Sequence, residues 1–362
     1  MKSVAENATN HLQKGRLYGV SAALLFGAST PLSKLLLPRV SPLMLAALLY
    51  LGAAWLLTIF RRLSVVRERQ STEARIRASD APALSGVVAF GGVLGPVLML
   101  FGLSRISALT GSLLLNLEAV FTIVLAVVIF HEHLDRGSKI ASVFIILGAG
   151  LSSYQPGIVT GSFLGVMTIV AACLCWAIDN NLSQRLSVRD PLAIAQIKTA
   201  GAGLTSLVLA LATGYVLPPR AFLVGALALG SLSYGASLVC VMLALRYLGA
   251  AREAAWFSTA PFIGGLLSVA IFRALPNVPE ALGIVLMVVG VFLLTRERHT
   301  HVHTHQPIEH DHIHFHDDHH DHFHAESENM ETHSHTHRHQ PVTHEHVHVS
   351  DVHHRHRHRD ST

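Results

Sequence analysis

Apolar residues run through most of this chain in long blocks that neither alternate nor keep to one helical face. Ten blocks stand out: Leu17–Leu37, Pro42–Phe60, Ala83–Leu103, Ser107–Phe130, Ile140–Tyr154, Ser162–Leu186, Pro191–Gly214, Ala221–Leu245, Ala254–Phe272 and Ala281–Thr295. Most approach the roughly 20 residues that an α-helix needs to cross a bilayer. The stretch from Ala81 to Ser104 holds no Asp, Glu, Lys or Arg. Neither does Ile140 to Ile178, which is long enough for two spans and is broken by Gln155-Pro156-Gly157. A helix on a soluble domain pairs an apolar stripe with a charged one, and these blocks do not. The pattern predicts an all-α integral membrane protein of ten transmembrane helices.

The blocks also repeat. Gly102-Leu103-Ser104-Arg105-Ile106-Ser107-Ala108 matches Ala244-Leu245-Arg246-Tyr247-Leu248-Gly249-Ala250. At the same offset Ala119 falls on Pro261, Phe130 on Phe272, Ala141 on Gly283 and Gly148 on Gly290. Leu32-Ser33-Lys34 matches Leu182-Ser183-Gln184, and Pro42 matches Pro191, at slightly larger offsets. Five spans per half is an odd number, so the second copy enters the membrane upside down. Two inverted repeats around a shared central site are a recurrent plan of secondary transporters. The predicted organisation is a cytoplasmic segment 1–16, a first repeat 17–154, a connection 155–160, a second repeat 161–295 and a tail 296–362.

Several short motifs sit at matching places in the two halves. Phe26-Gly27-Ala28-Ser29-Thr30-Pro31 is a polar, kinked stretch in the first span. Leu117-Glu118-Ala119-Val120-Phe121 and Phe130-His131-Glu132-His133-Leu134 mark the fourth, and Ala260-Pro261-Phe262 the ninth. Over Leu17 to Thr295 the chain resembles the EamA family of the drug/metabolite transporter superfamily. Two departures stand out. Ala119 replaces a customary proline, so a softer helix break is expected there. Ala274 stands opposite Glu132, so the two ends are not symmetric. The resemblance implies a carrier of amino acids, metabolites or toxic compounds, and not an enzyme.

Charge sets the orientation. Lys and Arg gather on cytoplasmic loops. With the N-terminus inside, the inner segments carry Lys2, Lys14, Arg16, Arg61, Arg62, Arg67, Arg69, Arg75, Arg77, Arg136, Lys139, Arg185, Arg189, Arg246, Arg252, Arg296 and Arg298. The outer ones carry Lys34, Arg39, Arg105, Arg220 and Arg273. Both termini are therefore expected in the cytoplasm and the protein in the inner membrane. Charged residues make up only 14% of the chain, against about a quarter in a soluble domain. Cys173, Cys175 and Cys240 all lie inside spans and read as packing residues, not a disulfide framework. The first apolar run lacks a small-residue cleavage site and reads as a span, not a signal peptide.

Ionisable groups inside a bilayer are expensive and invite a functional reading. Glu118, beside Asn116 in the fourth span, is a candidate for a coupled proton or a cation; the alternative is a hydrogen bond that fixes packing. Asp179 and Asn180, preceded by Trp176, lie in the sixth span where Ser29-Thr30-Pro31 lies in the first. Lys198 in the seventh has Asp179, Glu118 or an anionic substrate group as natural partners, with snorkelling as the competing account. Thr30, Trp256 and Thr259 complete the candidate lining. The expected partners are a small solute and the lipid bilayer, with no nucleic acid; a homodimer is compatible with the sequence. Transport calls for no cofactor, and no nucleotide-binding motif suggests a pump.

The tail is different chemistry. All of the 26 histidines except His11, His131 and His133 lie between His299 and His358, largely as His-x-His. Such a segment is too polar to bury a core and is expected to be disordered. Alternate residues of an extended chain point the same way. His299, His301, His303 and His305, then His310, His312, His314 and His316, then His333, His335, His337 and His339 are therefore candidate ligands. Imidazole suits Zn²⁺, Ni²⁺, Co²⁺ and Cu²⁺ alike. A charge brush that titrates near the ordinary histidine pKa is the bland alternative. The tail opens two further readings of the whole: a divalent transition-metal transporter, and a membrane-anchored metal buffer or sensor.

Overall fold

The fold is a computed structural model that describes residues 2–63, 76–130, 136–154, 160–186, 189–295 and, in the tail, 299–304, 309–314, 333–338 and 343–348. Ten long helices follow in order: α1 (Leu12–Leu36), α2 (Pro42–Arg62), α3 (Ala78–Leu103), α4 (Ala108–Ile129), α5 (Arg136–Ser153), α6 (Ser162–Arg185), α7 (Pro191–Ala212), α8 (Arg220–Leu248), α9 (Arg252–Phe272) and α10 (Val278–Thr295). All but α5 are long and apolar enough to cross a membrane. α5 has 18 residues and begins with Arg136 and Lys139. His131, Glu132 and His133 lie outside the described residues, as does most of the Gln155–Gly161 connection.

Local chemistry explains where the helices start and bend. Pro42 and Pro191 each open a helix at the position where a missing N–H costs nothing. α1 breaks at Ala28, three residues before Pro31, whose ring clashes with the preceding turn. α4 breaks at Leu115-Asn116 and α9 at Ser258-Thr259. At the offset that matches Gly102 to Ala244, the two breaks fall one residue apart. The α4 break is thus present although Ala119 has replaced the proline. Its turn is tightened by Asn116 N–H to the Leu113 carbonyl and Glu118 N–H to the Leu115 carbonyl, both 3.1 Å. α6 is the exception. It runs unbroken from Thr160 to Arg185 through Asp179-Asn180-Asn181, because no proline stands where α1 has Pro31.

α3 and α8 share a feature that their sequences do not announce. Val87–Leu94 in α3 and Gly230–Ala236 in α8 are wound as π-helix. At the offset that matches Gly102 to Ala244, Val87–Leu94 falls on Leu229–Ala236. The two unusual segments are therefore repeat mates. Wide turns of this kind change the aim of backbone carbonyls and recur at functional sites.

The bundle is held by close contact of small residues and a leucine-rich interior. Leu45, Leu49, Leu100, Leu113, Ile145, Ile169 and Met287 are buried. Trp55, Val208 and Leu266 stand out on the perimeter at 64%, 64% and 71% exposure. That arrangement is unfavourable in water by about 25 cal/mol per Å² and natural in hydrocarbon. α5 and α10 lie against each other through Gly148, Gly283 and Gly290. A Cβ on Gly148 would stand 2.7 Å from the Gly283 carbonyl oxygen, and one on Gly290 2.8 Å from that of Ala141. Backbones approach this closely only where side chains are absent.

In the tail, β1 (His299–Thr304) pairs antiparallel with β4 (Thr343–His348), and β2 (Glu309–His314) with β3 (His333–Arg338). The remaining tail positions, His305, His316 and His339 among them, lie outside the described residues.

Candidate functional site

The polar groups of the spans converge where the two halves meet. Asp179 of α6 is buried, with 4% of its surface exposed. The Lys198 ammonium of α7 donates to its Oδ2. Ser183, one turn along α6, donates to Oδ1 at 3.3 Å. Lys198 therefore turns inward to a carboxylate rather than outward to headgroups.

Glu118 faces the same helix from the other half. Its Oε1 accepts from Asn180 Nδ2 at 2.8 Å, and Asn180 Nδ2 also lies 3.3 Å from Thr122 Oγ1. Asn181 extends the seam, donating to the Ala177 carbonyl at 2.9 Å and to that of Thr122 at 3.3 Å. Glu118 thus meets a neutral amide, while Asp179 holds the ammonium. The cluster contains two carboxylates and one ammonium, so it carries one carboxylate without a cationic counterpart.

The π-wound segment of α3 frames this cluster. The Gly91 carbonyl accepts from Trp176 Nε1 of α6 at 3.1 Å and from the Tyr50 hydroxyl of α2 at 2.9 Å. A Cβ on Gly91 would overlap the Asp179 carboxylate. Only glycine lets the backbone come this near. Around Tyr50 stands an aromatic group: Tyr234 of α8 at 5.6 Å, with Phe26 of α1 at 5.8 Å from Tyr234 and 5.1 Å from Phe257 of α9. Aromatic pairs at these separations pack favourably. The centre therefore combines charge with a wall of rings drawn from both halves.

Trp176, Asp179, Asn180, Lys198 and Glu118 are brought together. The other candidates lie apart from them. Asn116 is buried and turns to α10, with Nδ2 2.9 Å from the Leu113 carbonyl and 3.8 Å from Met287 Sδ. The break at Leu115-Asn116 rotates it away from Glu118. Thr30 is buried near Gly111 of α4. Trp256 packs on α1 at Gly19, and Thr259 Oγ1 donates to the Trp256 carbonyl at 2.7 Å, closing the broken turn of its own helix. Tyr50, Gly91, Ser183 and Tyr234 are the residues that sequence reasoning missed. Gly91 and Tyr50 each lie inside an apolar run, Ala83–Leu103 and Pro42–Phe60, with nothing in the sequence to single them out.

Both halves match one family model, that of the EamA-like transporter family, over residues 13–154 and 163–296. The chain belongs to that family. EamA-like proteins are membrane transporters and not enzymes, and this one is a multi-pass transporter. An uncharacterized transporter of Methanothermobacter thermautotrophicus is 30% identical over 300 residues, covering 77% of this chain and 86% of its own length. A solved structure titled only "Crystal structure of protein" superposes with a TM-score of 0.57 at 18% identity, over 78% of this chain and 96% of that one. It shares the EamA-like fold.

Breaking a buried ion pair from one side leaves a charge without compensation and costs about 3–5 kcal/mol. Lys198→Met should therefore destabilise the detergent-solubilised protein more than the double change Asp179→Asn with Lys198→Met. Thermal unfolding midpoints check this. Equal midpoints would mean that the pair is not closed to solvent.

Proposed function

We propose that the protein exports a small organic solute, such as an amino acid or another metabolite, across the inner membrane by alternating access of one central site. The observation that carries this reading is the Glu118–Asn180 and Asp179–Lys198 cluster on the seam between the halves. Rocking of one repeat against the other would expose such a site to each side in turn. The excess carboxylate supports a coupled cation, and Glu118 is its bearer, because its carboxylate accepts from the neutral Asn180 amide while Lys198 donates to Asp179. A proton on Glu118 would release the site's negative charge before it turns. Among the described residues of the ten helices no group of three or more His, Cys, Asp or Glu gathers in metal-binding fashion, which favours the organic solute over a metal ion as cargo.

The tail is a metal-holding appendage in this reading. Its register supports it: His299 pairs with His348, His301 with His346 and His303 with His344 in one ladder. In the other, His310 pairs with His337, His312 with His335 and His314 with His333. Histidine positions meet histidine positions throughout. Zn²⁺, Ni²⁺, Co²⁺ and Cu²⁺ all suit such donors.

Three measurements test these proposals. In proteoliposomes, Glu118→Gln should abolish export driven by a pH gradient while the protein still inserts; unchanged export and pH dependence would reduce Glu118 to a packing residue. A reporter fused after Thr362 should read out as cytoplasmic, and an external reading would invert the orientation. Calorimetric titration of the full chain with Ni²⁺ or Zn²⁺ at pH 7 should show several bound ions. That capacity should fall steeply toward pH 5, as imidazoles protonate and lose the lone pairs that bind metal. A chain ending at Arg298 should lose the binding and keep the export. Binding that survives the truncation would place the metal elsewhere.

A further inference from the structure

At one end of the bundle the halves exchange charges. Asp80, at the start of α3, accepts from Arg189 of the second half: Nε to Oδ2 at 2.9 Å and Nη2 to Oδ1 at 3.4 Å. Arg77 N–H donates to the same carboxylate at 2.8 Å. Both side chains of the pair are largely covered, at 15% and 14% exposure. The next residue makes a contact of opposite sense. Asp190 caps α7 through Oδ1, accepting from Leu192 and Ala193 N–H at 2.9 and 3.1 Å. Its Oδ2 lies 4.0 Å from Arg61 Nη2 at the end of α2. Arg61 Nη1 donates to Gln196 Oε1 at 2.7 Å, and Gln196 Nε2 to Thr58 Oγ1 at 2.9 Å.

The neighbours Arg189 and Asp190 are thus gripped by Asp80 and Arg61, one from each side. The gripped connection joins α6 to α7, the two helices that bear Asp179 and Lys198. Six residues of helix, about 9 Å, separate Asp179 from the end of α6 at Arg185. Apolar side chains fill the interval: Leu84 and Val87 of α3 with Leu182 and Leu186 of the second half. At the opposite end the first half's Lys34 is used within its own half, donating to the Leu103 and Ile106 carbonyls at 2.6 and 2.8 Å.

We propose that the Asp80–Arg189 and Arg61–Asp190 contacts form an ionic latch that holds this end of the central site shut, with Leu84, Val87, Leu182 and Leu186 as the plug beneath it. The latch rests on the alternating-access reading and names what must part when the site turns to this end, which is the cytoplasmic one in the proposed orientation. Bidentate geometry gives the Asp80–Arg189 contact its direction.

Val87 is fully buried in the plug, so it reports opening. The test uses full-length chain in proteoliposomes, with Cys173, Cys175 and Cys240 changed to Ala and Val87→Cys as the single probe. A membrane-impermeant maleimide is added from the latch end. Arg189→Gln leaves the Arg77–Asp80 contact in place and should speed labelling about tenfold, a shift of about 1.4 kcal/mol in the gate equilibrium. Arg189→Lys keeps the charge but not the two-pronged contact, and should label more slowly than Arg189→Gln. Labelling that Arg189→Gln does not speed would overturn the latch, and so would Arg189→Lys labelling as fast as Arg189→Gln. The assay needs no substrate. A failed export assay therefore counts against the transport reading, and unchanged labelling against the latch.

Discussion

Hydrocarbon offers no partner to a charged side chain, so every ion in the middle of the bundle must be met by the protein itself. That constraint ties the architecture together. Lys198 is tolerable because Asp179 reaches it, and Asp179 is reachable because Gly91 has no side chain to stand in the way. Gly91 in turn presents its carbonyl to Trp176 and Tyr50 because α3 is wound wide at that point. Removal of any member leaves a buried donor, acceptor or charge unmet, at a cost of about 1–3 kcal/mol for a neutral group and more for an ion.

The repeat supplies a symmetric frame, and the chemistry departs from it. Wide turns in α3 and α8 are mates, and so are the breaks in α4 and α9. The charges are not. At the offset that matches Leu32 to Leu182, Asp179 corresponds to Ser29; at that of Pro42 and Pro191, Lys198 corresponds to Leu49. Glu118 corresponds to Ala260. The bends recur in both halves, while Glu118, Asp179 and Lys198 have uncharged mates.

Much of this was legible in the chain. Long apolar blocks dictate spans, and the parity of five dictates inversion. An ionisable residue inside a span announces itself, which is why Glu118, Asp179 and Lys198 stood out. What stayed hidden is rotation about the helix axis. In a helix that is apolar all round, no polar stripe marks which face turns inward. Asn116 therefore looked like a neighbour of Glu118 and in fact turns to Met287. Tyr50 looked like packing and holds the Gly91 carbonyl. The π winding of Val87–Leu94 and Gly230–Ala236 was hidden as well, since each reads in sequence as part of an ordinary apolar span.

The contact between α5 and α10 maps onto itself. Gly148 meets Gly283, and Ala141 meets Gly290; the repeat exchanges Gly148 with Gly290 and Ala141 with Gly283. One patch therefore faces its own mate across a pseudo-two-fold axis, as in the isologous interface of a two-fold dimer. Read this way, the polypeptide is a dimer of five-helix halves with its subunits joined in a single chain. A side chain added at one of these four positions meets the same surface as one added at its mate, seen from the opposite face of the membrane.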